Sequence, residues 1–491
     1  MRPETLIILS MLVPAAATFG IVAADRSPNV REAVTLAASA ILIILVFSLY
    51  RLNGAGEKLS ADLFEIIPGL SIYFNIEPLG MLFSLVASLL WPITTIYAIG
   101  YMRGHNEENQ TRFYCCFAIA IASVMGIAYA GNLFTLFIFY EVLTLSTYPL
   151  VTHAGTEKAK LGGRIYLGIL LTTSILFLLL AIIATWYVTG TLEFTAGGIF
   201  DQSSLVAAAA LLPLYIFGIG KAAIMPFHRW LPAAMVAPTP VSALLHAVAV
   251  VKAGVFSVLK VCTYIFGFDM LLQLPTTDFL LYLAGASVII ASLVAMRQDN
   301  LKARLAYSTV SQLSYITVGA LLANSAGALG GAMHIGMHAL GKITLFFCAG
   351  AIMVAAHKTE ISDMHGLGRK MPVTMAAFFI GSLSIIGLPP GGGTWSKWYL
   401  MIGTIDADKL ILMVVLMISS LLNIAYLLPI PIKGFLYPAP EVESSSTIQE
   451  APLPSLAALS LTALGCIVLF IYPQPLYELA LRFLEAAGIH G

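Results

Sequence analysis

The chain has 491 residues, 59% of them hydrophobic and only 10% charged, with 25 basic residues balancing 25 acidic ones. Soluble domains carry roughly 25% charged residues, so this composition belongs to a protein of the lipid bilayer, and its zero net charge offers no basic face to nucleic acid. Cys115, Cys116, Cys262, Cys348 and Cys466 lie in apolar runs without a C-x-x-C, and neither G-x-x-x-x-G-K-[ST] nor G-x-G-x-x-G occurs. No disulfide framework, metal cluster, nucleotide site or cofactor is therefore expected.

Apolar stretches of about twenty residues predict an all-α membrane protein of fourteen spanning helices. They fall at 3–24, 30–50, 76–100, 112–130, 132–152, 163–188, a broken 205–235, 240–264, 277–297, 303–323, 327–356, a broken 373–402, 409–432 and 454–473. The first has some signal-peptide features, but Glu4 offsets Arg2 and the run is long enough to span, so a retained helix is expected. The longest polar loop, 438–454, is acidic and serine-rich, and the tail after Pro473 places Glu478, Arg482 and Glu485 among apolar residues, as an interfacial helix would. About fifteen Lys and Arg follow odd-numbered spans against about four after even ones, which predicts odd loops in the cytoplasm and both termini outside.

The two broken spans carry the chemistry. The seventh contains Gly218, Lys221, Pro226, His228, Arg229 and Pro232; the twelfth contains Gly387, Pro389, Pro390, Gly391, Gly393 and Lys397. A charge in hydrocarbon costs several kcal/mol unless it meets water or a partner, and a broken helix frees backbone groups that need protein or a wet cavity. Two such segments in corresponding halves of a membrane chain point to an ion pathway. Few other ionisable residues lie deep in spans: Glu141 in the fifth, His246 and Lys252 in the eighth, and His334, His338 and Lys342 at i, i+4, i+8 in the eleventh. The tenth adds Tyr307, Ser308, Ser311, Gln312 and Ser314, a polar run suited to holding water. Lysines tuned by burial and by a carboxylate, with histidines between them, make a chain of proton sites. Blander roles compete. Lys260 is expected to snorkel to a membrane edge; the bland alternative for Glu141 is to neutralise a lysine, and for His246 to be a packed, hydrogen-bonded core residue. Gly391 to Gly393 could serve close packing, and His228 with Arg229 interfacial anchoring. His334 and His338 have a helical metal spacing but no third ligand nearby in sequence.

At these residues the chain resembles the antiporter-like subunits shared by respiratory complex I, membrane-bound hydrogenases and Mrp-type cation/proton antiporters. Four motifs in family order carry the resemblance: Lys221 to Gly254, with Pro226-Phe-His228-Arg-Trp230-Leu-Pro232 and Val241-Ser242-Ala243; Asp299 to Gln312; His338-Ala-Leu-Gly-Lys342; and Gly387-Leu-Pro-Pro390. The stretch Glu141 to Tyr148 looks most like the Mrp D-type subunits, while Gly391-Gly-Gly393-Thr-Trp395 stands where Ser-Gly-Phe is usual. The resemblance implies two inverted five-helix repeats, at 111–264 and 265–435, between N-terminal helices at 1–110 and a C-terminal part at 436–491. It implies Glu141 as the acid facing Lys221, Lys252 as a bridging lysine, His334 or His338 as the central relay, and Lys397 as the terminal exchange site. It also implies partner subunits, protons and possibly Na+ as cargo, and a bacterial or archaeal cell membrane. Against Mrp-type Na+/H+ antiport stand a proton-pumping subunit of a redox complex, an intramembrane metallohydrolase using His334 and His338, and a scaffold with relic charges.

Overall fold

In hydrocarbon every backbone N–H and C=O must be satisfied within its own segment, so the apolar runs fold as helices. A computed structural model describes residues 2–438 and 447–489 of the chain. Its helices are α1 (Pro3–Ala23), α2 (Pro28–Gly54), α3 (Pro78–Gly104), α4 (Gln110–Tyr129), α5 (Leu133–Val151), α6 (Glu157–Thr189), α7 (Leu205–Gly218) and α8 (Thr239–Phe266). They continue as α9 (Pro275–Met296), α10 (Leu301–Leu321), α11 (Ser325–Ala356), α12 (Pro372–Ile386), α13 (Gly393–Asp406), α14 (Leu410–Leu436), α15 (Leu453–Ile471) and α16 (Gln474–Ala486). Among the described residues, eleven helices are long and apolar enough to cross a membrane. The expected spans outside that set are the two broken ones and α10, whose hydroxyls and Gln312 lower its hydropathy.

The helical fold carries one element that is not a helix. Between α2 and α3 lies an antiparallel hairpin, β1 (Ser60–Ile67) and β2 (Leu70–Asn75), turned at Pro68-Gly69 with Gly69 at φ +83°. Phe74 of β2 also bridges to Ala130 at the end of α4. Much of the predicted acidic loop, residues 439–446, lies outside the described residues, as do His490 and Gly491. Glu450, in the described part of that loop, caps the start of α12 by accepting from the backbone of Val373 at 2.7 Å and from Thr374 Oγ1 at 2.5 Å. The C-terminal helix α16 buries Leu476, Leu479, Ala480, Phe483 and Leu484 against the bundle, where α3 and α11 lie beside it.

Packing at the centre is tight because small residues face backbone. A Cβ at Gly254 of α8 would collide with the main chain of Lys221 and Ala222, which fixes the first break against α8. A Cβ at Gly391 or Gly393 would meet the backbone of Ser384, so these glycines serve both close packing and the second break. The alternatives weighed from sequence are here one device.

Candidate functional site

At the first break α7 stops at Gly218, Gly220–Ala222 form a single tight turn, and Ala223 takes φ +54°. Trp230 Nε1 donates to the freed carbonyl of Gly220 at 2.9 Å. Lys221, on that turn, is wholly buried. Its Nζ donates to Tyr140 O at 2.8 Å and Thr144 Oγ1 at 2.6 Å, and lies 3.1 Å from the centre of the Tyr140 ring. Tyr140 Oη in turn accepts from the Lys221 backbone N–H at 3.1 Å.

Here the structure departs from the expected Glu141–Lys221 pair. Glu141 is half-buried on the next position of α5, with its Oε1 buried and without a hydrogen-bond partner. Among the described residues no ion pair joins it to Lys221; carbonyl, hydroxyl and ring hold the lysine instead. Tyr140 offers its backbone oxygen and ring to the ammonium, while Glu141, one position on, acts on the lysine's charge without a direct contact.

Across the centre the basic side chains form a buried row, with no hydrogen bond between its two α11 histidines. Lys252 of α8 and His338 of α11, both buried, meet with Nζ 2.5 Å from Nδ1. The rings of His338 and His334 lie 5.6 Å apart. His334 uses both nitrogens, Nδ1 to Ser396 Oγ at 2.8 Å and Nε2 to Gln312 Oε1 at 3.1 Å. Ser396 adjoins Lys397, whose Nζ donates to Ile386 O at 3.1 Å and Ser420 Oγ at 3.3 Å and stands 4.6 Å from the Tyr315 ring centre. Tyr315 closes the loop by packing 6.0 Å from His334. Lys342 lies on a branch, bonded to Ser308 Oγ at 2.6 Å and Leu305 O at 3.2 Å, and Tyr426 Oη donates to the same Ser308 at 2.9 Å.

The remaining sequence candidates divide. His246 is buried in a π-helical turn, Leu244–Val248, and packs 4.6 Å from the Phe346 ring, with neither ring nitrogen bonded to protein. It is thus a packed histidine without the hydrogen bonds a core histidine is expected to make. His228 and Tyr307 lie together at the edge, their rings 6.1 Å apart, and Tyr307 lines a cavity of about 530 Å³ with Arg164 and Arg229. Ser311 faces away from the lysine–histidine row, into a hydroxyl cluster with Ser292 at 3.0 Å and Ser419 at 3.3 Å. Pro226, Pro389 and Pro390 reach the surface, and both Met225–Pro226 and Pro389–Pro390 are cis.

Lys260 does not snorkel. It is 1% exposed, with Nζ 2.5 Å from a Glu77 carboxylate oxygen and 2.6 Å from Ala130 O. Sequence reasoning missed this pair, and also Tyr140, Thr144, Tyr315, Ser396, Ser420 and Tyr426, because hydroxyls are cheap enough in apolar helices to carry no signal of their own. The donor set does not suit a metal: both nitrogens of His334 are engaged and Nδ1 of His338 faces a lysine. Among the described residues no three His, Cys, Asp or Glu side chains converge as ligands.

Known proteins resemble this chain in sequence and in fold. The family model described as NADH:quinone oxidoreductase/Mrp antiporter, TM, matches residues 130–423. NADH-quinone oxidoreductase subunit N of Desulforudis audaxviator is 29% identical over 495 residues, covering 98% of each chain. NAD(P)H-quinone oxidoreductase chain 5 of Synechocystis sp. is 31% identical over 70% of this chain, which spans only 50% of that longer relative. Among solved structures, the Mrp complex from Dietzia sp. DQ12-45-1b contains a chain of the same fold, with TM-score 0.86 and 23% identity, over 100% of this chain and 98% of that one. A membrane-bound sulfane sulfur reductase, an archaeal respiratory membrane complex, gives TM-score 0.85 at 22% identity over 98% and 97%. With its antiporter-like fold and a family match across the whole buried row, the chain belongs to the NADH:quinone oxidoreductase/Mrp antiporter transmembrane family.

Proposed function

We propose that this chain moves protons across the membrane as an antiporter-like subunit of a multi-subunit complex, with Mrp-type exchange of Na+ for H+ as the driving reaction. The observation that carries the reading is the buried row in which the Lys252–His338 and His334–Ser396 hydrogen bonds stand side by side, the two histidine rings 5.6 Å apart, next to Lys397. A lysine gives up a proton to a neighbouring acceptor and a histidine passes it on by taking it at one nitrogen and releasing it from the other. His334 is held for that, with a hydroxyl at one nitrogen and an amide oxygen at the other. Lys221 is the switched end: Glu141 swings toward it in one state, and Tyr140 and Thr144 hold it in the other. Lys397, at the second break, exchanges with the far side. The fourteen spans, the two inverted repeats and the outward termini belong to this reading, as does a bacterial or archaeal cell membrane. On it the chain is a transporter subunit rather than an enzyme.

The test is reconstitution of the assembled complex in vesicles carrying a pH-sensitive dye. Na+-dependent proton movement is expected to vanish in Lys221→Ala and to fall severely in Glu141→Ala and Lys397→Ala. Wild-type rates in all three would end the relay reading. A second reading, a proton-pumping subunit of a redox complex, is favoured by the similarity to subunit N over nearly the whole of both chains. Proton movement driven by quinone or ferredoxin chemistry and indifferent to Na+ would select it.

A further inference from the structure

The relay leaves one buried charge pair unused. Helix α8 is buried along its entire length and carries three basic side chains, His246, Lys252 and Lys260. Lys252 and Lys260 are eight residues apart, close to one face and separated by about 12 Å of helical rise. Lys260 stands at the hairpin end of α8, where Phe74 of β2 bridges to Ala130. Around its Nζ gather Glu77 at 2.5 Å from the start of α3, Ala130 O at 2.6 Å from the end of α4, the ring of Phe194 at 4.3 Å and that of Phe256 at 5.4 Å. Glu77 and Tyr264 are the ionisable side chains that face this corner.

Three details set the pair apart from simple glue. Glu77 is the N-cap residue of α3, yet its side chain makes no cap bond to the helix and turns to Lys260. Capping from that position belongs to the shorter Asp, Asn, Ser and Thr side chains, so the longer Glu77 carboxylate is left free to pair elsewhere. Next to the pair, on a π-helical turn, Cys262–Phe266, of the kind often found at functional sites, the Thr263 hydroxyl is buried without a protein partner and the Tyr264 hydroxyl lies beside the Glu77 carboxylate. Finally, the Lys260 side chain is 1% exposed while that of Glu77 is 10% exposed, so the carboxylate is the more open member.

We propose that Glu77 and Lys260 form a further proton-binding site, through which the Lys252–His338 step exchanges protons with the hairpin face of the membrane; the inference rests on the proton-relay reading. The Lys260 ammonium gives a proton to the Glu77 carboxylate, leaving a neutral amine and a carboxylic acid. The acid releases that proton to water at the hairpin face, and the amine takes the next one from the direction of Lys252. Each transfer conserves charge, and the intermediate is a neutral pair suited to a dry corner.

A buried ion pair replaced as a whole by neutral groups of like volume usually leaves stability unchanged. The decisive variant is therefore the double substitution Glu77→Gln with Lys260→Met in the assembled complex, run beside Lys221→Ala in the same vesicles. The expected result is unchanged thermal stability with about a tenfold loss of proton flux. Wild-type flux in the double variant with a dead Lys221→Ala would make the pair structural and leave the relay standing. Wild-type flux in Lys221→Ala would remove the relay reading and this site with it. Should the double variant fail to assemble, infrared difference spectroscopy of the wild-type complex from about pH 5 to about pH 9 decides. A carboxylic-acid band that is missing in Glu77→Gln is expected; its absence from the wild type overturns the proposal.

Discussion

The Lys252–His338 contact gives the sharpest quantitative test. Among the described residues, Nδ1 of His338 at 2.5 Å is the hydrogen-bond partner of Lys252, and both side chains are buried. His338→Leu keeps most of the volume and removes the partner. A hydrogen bond involving a charged group is worth about 1.5–3 kcal/mol, and His338→Leu leaves the buried lysine without that partner. At about 1.4 kcal/mol per factor of ten, a transfer step that depends on this contact slows roughly 10- to 100-fold. Replacing both residues, with Lys252→Met and His338→Leu, removes the stranded charge, so stability recovers although flux stays low. The measurements are dye-reported proton flux in vesicles and thermal unfolding of the solubilised complex, combined as a double-mutant cycle. Flux within about twofold of wild type in His338→Leu, or additive stability losses, would show that the two residues act independently and refute the reasoning.

Other outcomes follow from the same geometry. Ser396→Ala frees Nδ1 of His334 from its hydroxyl while Gln312 still holds Nε2; at ~1 kcal/mol for the lost bond, flux should fall about fivefold, and Gln312→Leu should act alike. Gly254→Ala forces a methyl against the main chain of Lys221 and Ala222, and a loss of about 1–3 kcal/mol should appear as a lower unfolding temperature. His153, in the loop after α5, is pulled below the ordinary histidine pKa by burial, with Glu107 opposing and Arg112 reinforcing the shift. The folded state therefore favours the neutral ring, so this stabilisation is complete above about pH 6.5 and is lost as the pH falls through the folded-state value. Melting curves taken on either side of about pH 6.5 should show a smaller acid-induced drop in His153→Gln than in wild type.

The helices were legible because burial in lipid leaves only one way to satisfy a backbone, and each expected span lies on a helix or on the two halves of a broken one. The lysines and histidines were legible because charge is rare and costly in such segments. What the sequence hid was who holds whom. Tyr140 and Thr144 reach Lys221 through the register of α5 against the break, which no spacing rule encodes. Lys260 was misread because its partner, Glu77, stands at the very start of the third expected span, where an acid reads as an edge residue facing water. The hairpin was missed for the same reason, although Pro68-Gly69 between alternating apolar residues was a usable turn signal. Ser311 looked equivalent to Ser308, yet three positions of rotation send one to Lys342 and the other to Ser292.

The complete burial of α8 has a consequence for biogenesis. A lysine at the centre of a newly made helix disfavours its insertion by about 2.5–3.5 kcal/mol, and α8 carries two lysines besides His246. Glu77 is synthesised before α8, but His338 is synthesised after it. When the ribosome releases α8, one lysine can already find its counter-ion, while the other must wait at the translocon or in a wet groove until α11 arrives. The first half of this chain therefore does not mature on its own: its driest helix is finished by a residue from the second.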